Sequence, residues 1–126
     1  MKKLLTICIL LASLAGYSQS SYIGFHLGPL KKEFHNLTKD RTVEGDFTMY
    51  YVDCELGRYV FAVKENTVQF SVLNPNDESR NLLIKFYNEN YIKTSPRTWE
   101  TYVEGGTINV ELVLYKGTWQ FNYKPL

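Results

Sequence analysis

A strict alternation of apolar and polar side chains constrains the fold of this chain more than any other feature. In the segment 107–115, TINVELVLY, the residues Ile108, Val110, Leu112 and Leu114 occupy every second position. Successive side chains of a β-strand point to opposite faces, so this spacing predicts a strand with one buried face. Strands of this kind are typical of an antiparallel sheet that is covered on one side.

Six segments with strand-like patterns fall into two groups of three. They are 47–53, 58–64 and 67–72 in the first group, and 97–103, 107–115 and 118–123 in the second. A helix is predicted before each group, because Gly28-Pro29 and Asn74-Pro75 are typical helix starts and apolar residues follow at helical spacing. The first helix is expected to end near Asp40.

This element order predicts an α+β fold. Two αβββ units would lie in tandem, about residues 28–73 and 74–126, and their antiparallel sheet would carry the helices on one face. The letters TVQF, residues 67–70, also return 51 positions later as TWQF, residues 118–121. The same shift overlays the strand groups and matches Phe70 with Phe121, which favours structural repetition.

The first 18 residues, MKKLLTICILLASLAGYS, have the pattern of a secretion signal. A basic start, Lys2-Lys3, precedes an apolar run from Leu4 to Leu14, and small residues follow. The apolar run is shorter than the about 20 residues that span a membrane. We therefore expect a secreted or periplasmic protein with a single mature domain, residues 19–126, and no membrane span after cleavage.

Charge and composition argue against several functions. Without the two lysines of the signal, 14 − 2 = 12 basic residues stand against 13 acidic ones, a net charge of −1. A near-neutral chain without a basic block does not favour binding to nucleic acid. The only histidines, His26 and His35, lack metal-binding spacing, and no nucleophile motif is present. The chain is therefore predicted to be no enzyme and to need no metal or cofactor.

Cys54 is the only cysteine that remains after signal cleavage. A single thiol cannot form an internal disulfide, so the core alone must stabilise the domain. An unpaired thiol in an oxidising compartment can form an intermolecular disulfide. A homodimer bridged through Cys54 is therefore one hypothesis.

The second face of the predicted sheet is richer in tyrosine and valine than a solvated face requires. The candidate site consists of Tyr50, Val60, Tyr102, Val113 and Tyr115, with Val52 and Ala62 beside them. Tyrosine is frequent at interfaces because it combines apolar area with a hydrogen-bonding tip. This pattern predicts a non-catalytic module that binds a protein partner. The alternative interpretation is that sheet twist and long neighbouring side chains cover this face.

A second functional hypothesis is a small-ligand carrier. It would hold an apolar ligand in a pocket between the helices and the sheet. The predicted lining residues are Phe34, Phe61, Phe86 and Leu112.

The segment TWETYVEGGTINVELVLYKGTWQFNYK, residues 98–124, together with the signal and the tandem pattern, resembles small secreted bacterial proteins of helix-plus-antiparallel-sheet type. At the level of architecture the tandem order also resembles the β-lactamase inhibitor proteins. That resemblance implies two helix-and-sheet repeats that present an aromatic, concave sheet to an enzyme, and hence a protein partner. The repeats of that family carry disulfides, whereas the mature chain has a single cysteine.

Overall fold

The computed structural model describes residues 21–43, 45–103 and 106–126, which form two helices and one antiparallel sheet of eight strands. The helices are α1 (Leu27–Glu33) and α2 (Asp77–Asn90), and the strands are β1 (Thr38–Val43), β2 (Phe47–Cys54), β3 (Gly57–Lys64), β4 (Thr67–Pro75), β5 (Ile92–Ser95), β6 (Thr98–Val103), β7 (Gly106–Tyr115) and β8 (Thr118–Pro125). The strand order across the sheet is β1-β2-β3-β4-β8-β7-β6-β5. The α+β class with an antiparallel sheet agrees with the prediction from sequence.

Each helix is followed by four strands, whereas the sequence predicted three. The two additional strands, β1 and β5, form the edges of the sheet. Five of the six residues of β1 and all four of β5 are exposed. An edge strand that buries neither face needs no apolar alternation, so the pattern that revealed the other strands is missing. α1 ends at Glu33, earlier than the predicted end near Asp40, and Asp40 lies in β1 instead.

Both helices pack against the same face of the sheet. Leu30 of α1 and Leu83 of α2 are fully buried in one hydrophobic cluster. The register places Tyr59, Leu73 and Phe121 on one face, because Tyr59 pairs with Leu73 and Leu73 pairs with Phe121. The core therefore lies between the two helices and the middle strands of the sheet.

The residues before α1 close the first half of this core. Gly24 N–H donates to the carbonyl oxygen of Val68 over 2.9 Å, and Val68 N–H donates to the carbonyl oxygen of Phe25 over 2.9 Å. The ring of Tyr22 lies 5.7 Å from the ring of Tyr59. Residues 24–26 thus contact the start of β4 through these hydrogen bonds and an isolated bridge between His26 and Thr67, and Tyr22 covers the core beside them.

The start of α2 lies two residues later than the sequence predicted. Asn76 is the N-cap, and its Oδ1 accepts a hydrogen bond from Ser79 N–H over 2.8 Å. Asp77 and Glu78 follow at the positive end of the helix dipole. Pro75, the predicted first helical residue, ends β4 instead. Within the part of the chain that the structure describes, no helix is long and apolar enough to cross a membrane.

A β-bulge at Gln69 divides β4. Ala62 pairs with Phe70, but the next residue, Val63, pairs with Val68, so Gln69 has no partner across the ladder. Its side-chain amide donates instead to the carbonyl oxygens of Lys64 and Thr67 over 3.3 Å each. Val68 therefore faces the helices while Phe70 faces away from them. A strict alternation over 67–72 would have placed Val68, Phe70 and Val72 on one face.

Candidate functional site

Tyr50 and Val52 lie on the helix side of the sheet, which corrects the prediction. Tyr50 pairs with Phe61 and Val52 pairs with Tyr59, both of which belong to the core. In β2 the residues at odd positions and those at even positions are both largely apolar. Alternation along the strand therefore could not show which of the two groups is buried. We call the face opposite the helices the open face. On β2 it carries Phe47, Met49 and Tyr51.

Val60, Tyr102, Val113 and Tyr115 do lie on the open face, but they form no cluster. Tyr102 pairs with Thr107 near one end of β7, and Tyr115 lies at the other end. Eight residues separate Thr107 from Tyr115, or roughly 27 Å at the rise of an antiparallel strand. The structure therefore does not bring the predicted tyrosines together into one tyrosine-rich site.

The open face instead carries a continuous apolar surface over β2, β3 and β4. We call it the apolar half-face, and it consists of Phe47, Met49, Tyr51, Val60, Phe70 and Val72, with the fully buried Ala62 between them. Phe47 and Phe70 are in ring contact, with centroids 5.4 Å apart. Phe70 is 38% exposed, and Met49 and Val60 are half-buried. The sequence did not reveal Phe47, Met49 and Phe70 as surface residues. It could not show which residues of β2 face the helices, and it gave no sign of the bulge in β4.

The centre of the other half of the open face is polar, whereas Tyr102 and Tyr115 lie exposed at its ends. A single row of cross-strand neighbours runs over the sheet in the order Tyr51, Val60, Val72, Asn122, Glu111 and Thr98. The row changes from apolar to polar at the boundary between β4 and β8. We call the surface formed by Thr98, Glu100, Asn109, Glu111, Gln120 and Asn122 the polar half-face.

Charged side chains lie at both ends of the apolar half-face. At one end Arg58 binds both carboxylate oxygens of Asp53, over 2.7 and 3.0 Å, and its guanidinium carbon lies 4.9 Å from the ring centroid of Tyr51. This hydrogen bonding to Arg58 holds the pKa of Asp53 below its usual range. At the other end Lys64 Nζ lies 5.4 Å from the ring centroid of Phe47. Both cations border aromatic surface.

The two edges of the sheet are poorly suited to strand addition. The register of β1 shifts between Lys39 and Arg41, and that of β5 shifts between Lys93 and Ser95. Irregular edges that carry charged side chains are a common protection against pairing with another chain. A partner is therefore expected to contact a face of the sheet rather than an edge.

The space between helices and sheet is filled by aromatic rings in mutual contact. Phe34 lies 5.8 Å from Phe61, and the ring of Tyr87 lies 5.4 Å from Phe121. Burial raises the pKa of the Tyr59 and Tyr123 phenols, which therefore stay neutral. Two of the predicted pocket residues, Phe34 and Phe61, thus pack on each other within this space.

The described residues also offer no evident metal site. Among them no group of three or more His, Cys, Asp or Glu side chains could hold a metal ion. His26 bonds through Nδ1 to the hydroxyl of Thr67 over 3.2 Å. Asp53 is bound by Arg58.

Cys54 is held against the core at the end of β2. It is half-buried and packs on the hydrophobic cluster, and it has no disulfide partner among the described residues. Burial is the main cause that raises the pKa of its thiol, although backbone hydrogen bonds from Leu56 and Gly57 partly oppose the shift. This position does not favour the intermolecular disulfide that the sequence suggested.

We expect Cys54 to react slowly in the folded protein. At pH 8 the raised thiol pKa and partial burial should slow alkylation by iodoacetamide about tenfold or more relative to the urea-unfolded chain. The measurement is the rate of mass gain by mass spectrometry. Equal rates in both states, or a dimer band on non-reducing gels that disappears in Cys54→Ala, would contradict this expectation.

Comparison with known proteins assigns neither a family nor a function to this chain. No family model, curated protein or solved structure matches this chain.

Proposed function

We propose that this chain is an exported, non-catalytic binding module that recognises a protein partner through the apolar half-face. Export rests on the signal-like pattern of residues 1–18, which lie outside the described residues. Recognition rests on the sheet, whose helix-free side combines half-exposed aromatic and aliphatic side chains with cations at both ends.

One observation carries the proposal: the two halves of the open face share an architecture but differ in chemistry. Each half is formed by strands of one antiparallel sheet whose opposite side is covered by a helix. The fold places the same demand on both, namely compatibility with water. Mostly polar side chains meet that demand at the centre of β6, β7 and β8, with Val113, Tyr102 and Tyr115 as separate exceptions. A continuous apolar surface on β2, β3 and β4 is therefore not required by the fold.

We further infer that the two halves are tandem units with four strands each. The N-caps His26 and Asn76 lie 50 residues apart, and the two-residue turns Glu65-Asn66 and Lys116-Gly117 lie 51 apart. All four turn residues have positive φ. In this view the two halves repeat one structural unit, and only the first has an apolar open face.

The residue types on the apolar half-face suit a protein interface better than a small-ligand site. Interfaces are enriched in aromatic residues, methionine and arginine, and their apolar centre is surrounded by a polar rim. Met49, Phe70 and Tyr51 form such a centre, and Arg58 lies at its rim. Tyr102 and Tyr115 lie on the polar half and would contribute at most to the periphery. The carrier alternative is less favoured, because Phe34 and Phe61, which would line its pocket, contact each other.

Site-specific photo-crosslinking tests the proposal. A photo-reactive amino acid is placed at position 60 on the apolar half-face, at 111 on the polar half-face, or at 85 on the exposed side of α2. The variants are expressed in cells of the native host. We expect a dominant protein adduct from position 60 and weak adducts from the other two, because only position 60 lies inside the proposed interface.

Purified components then give the affinity. Val60→Asp places a charge within the apolar half-face and should weaken binding of the identified partner by at least about tenfold, with the far-UV circular dichroism unchanged. The matched control, Val113→Asp on the same face but outside the apolar half, should bind within about twofold of wild type. Adducts of equal strength from all three crosslinking positions would refute the proposal.

A further inference from the structure

We propose that the signal is removed before residues 21–26 dock on the core, so that a precursor that has already folded resists cleavage. This inference rests on the export that the proposed function includes. It concerns the bond between Ser18 and Gln19, where the signal-like pattern predicts the cut.

Ser21 and Tyr22 follow this bond closely and are built into the first half of the core. Each is only 2% exposed. The carbonyl oxygen of Ser21 accepts a hydrogen bond from the hydroxyl of Ser71 on β4 over 2.7 Å, and the Oγ of Ser21 accepts one from Ile23 N–H over 3.3 Å. The chain is therefore anchored to the sheet from Ser21 onward.

The ring of Tyr22 lies among four other aromatic rings. Its centroid is 5.2 Å from those of Phe25 and Phe34, 5.7 Å from that of Tyr59 and 5.9 Å from that of Phe61. All four contacts are edge-to-face, an arrangement that aromatic rings prefer. Withdrawing Tyr22 would leave a cavity among these rings, so undocking of the segment is unfavourable.

The predicted cut is too near the core for a protease to reach it in the folded chain. Only Gln19 and Ser20 separate it from Ser21. An extended chain covers at most about 3.6 Å per residue, so the scissile bond lies within about 11 Å of Ser21. A domain of about 100 residues has a radius of gyration of about 13 Å. The folded domain would thus occupy the space that the protease needs.

Burial of the residues after the cut sets the order of the two events. Proteases bind their substrates as extended segments, and a bond beside packed structure is cut only as fast as local opening allows. Ser21 and Tyr22 are the third and fourth residues after the cut, and both would have to leave the core. An unfolded precursor needs no such opening, so cleavage comes first and docking second.

Cleavage of the purified precursor by the signal peptidase of the native host tests this order. The full chain is folded in detergent micelles and compared with a variant that carries six Gly and Ser residues inserted between Ser20 and Ser21. The insertion moves the cut up to about 20 Å further from the core. We expect the wild type to be cut at least about tenfold more slowly than this variant. The same six residues appended after Leu126 should leave the rate unchanged.

Tyr22→Ala provides a second measurement. It removes the ring that holds the segment, so its precursor should be cut at least about fivefold faster than the wild type. Phe70→Ala changes a ring outside the contacts of Tyr22 and should be cut as slowly as the wild type. Circular dichroism shows whether each precursor is folded, and the insertion variant decides the question if Tyr22→Ala does not fold.

The outcomes separate this inference from the proposed function. Equal rates for the wild type and the insertion variant, or a product that mass spectrometry shows to begin upstream of Gln19, overturn only the order of cleavage and docking. If neither precursor is cut, even directly after dilution from urea, residues 1–18 are not a removable signal. That result overturns this inference and the proposed export together.

Discussion

Replacing Gly57 by alanine should lower the free energy of unfolding by at least about 3 kcal/mol. Gly57 opens β3 with φ +140°, a conformation that side chains rarely adopt, and an added Cβ would lie 2.1 Å from the carbonyl oxygen of Asn74 and 2.8 Å from Cα of Pro75. Both contacts are to backbone atoms of the paired strand β4, so no side-chain rotation can relieve them. Domains of this size are stable by only about 5–15 kcal/mol, so the loss is large.

Gly106 provides the matched control. It opens β7 as Gly57 opens β3, and it has φ +155°, but no atom lies within 4 Å of an added Cβ. Gly106→Ala therefore introduces backbone strain without a collision, and we expect a loss of about 1 kcal/mol. Urea denaturation followed by circular dichroism measures both variants. Equal losses would show that the close approach of Asn74 to Gly57 is not the source of the effect.

The strands that bury one face could be predicted from the sequence. β3, β4, β7 and β8 each carry apolar residues at every second position over at least part of their length, and the antiparallel sheet follows from that pattern. β1 and β5 could not be predicted in this way. Their side chains are almost all exposed, and their place in the sheet depends on backbone pairing with β2 and β6, which no side-chain pattern records.

The apolar half-face depends on two decisions that the sequence leaves open. One is which face of β2 the helices cover, because Tyr50 and Tyr51 are equally suited to the core. The structure settles it through pairing: Tyr50 lies beside buried Phe61 and Tyr51 beside half-exposed Val60. The other is the strand order, since only the adjacency of β4 and β8 divides the open face into an apolar and a polar half. Alternation predicts that a strand has two faces, but neighbours decide which face is covered.

The repeated letters TVQF and TWQF show how one residue changes a side chain's environment. Phe70 and Phe121 match in sequence, and a shift of 51 predicts the same surroundings for both. The bulge at Gln69 breaks this equivalence by turning Phe70 to the open face, where it is 38% exposed, while Phe121 is fully buried. At the bulge the side-chain amide of Gln69 donates to the backbone carbonyl of Lys64, whereas Gln120 occupies the matching position in a regular strand.

Phe121→Ala should therefore lower the free energy of unfolding by about 4 kcal/mol. The ring of Phe121 is fully buried and contacts Tyr87 at 5.4 Å and Trp99 at 6.5 Å between centroids. Removing it deletes buried apolar area and leaves a cavity among rings whose own positions are fixed by their neighbours. The midpoint of urea denaturation, monitored by tryptophan fluorescence, measures the loss.

Phe70→Ala is the matched comparison and should cost less than about 1.5 kcal/mol, because much of that ring already meets water and its removal leaves no closed cavity. The same substitution removes apolar area from the apolar half-face, so it should weaken binding of a protein partner to that surface while the fold persists. Phe121→Ala should show the opposite pattern, a large loss of stability with no direct effect on the open face. Equal losses of stability in both variants would mean that the ring of Phe70 is as buried as that of Phe121. That result would contradict the bulge at Gln69 and remove Phe70 from the apolar half-face.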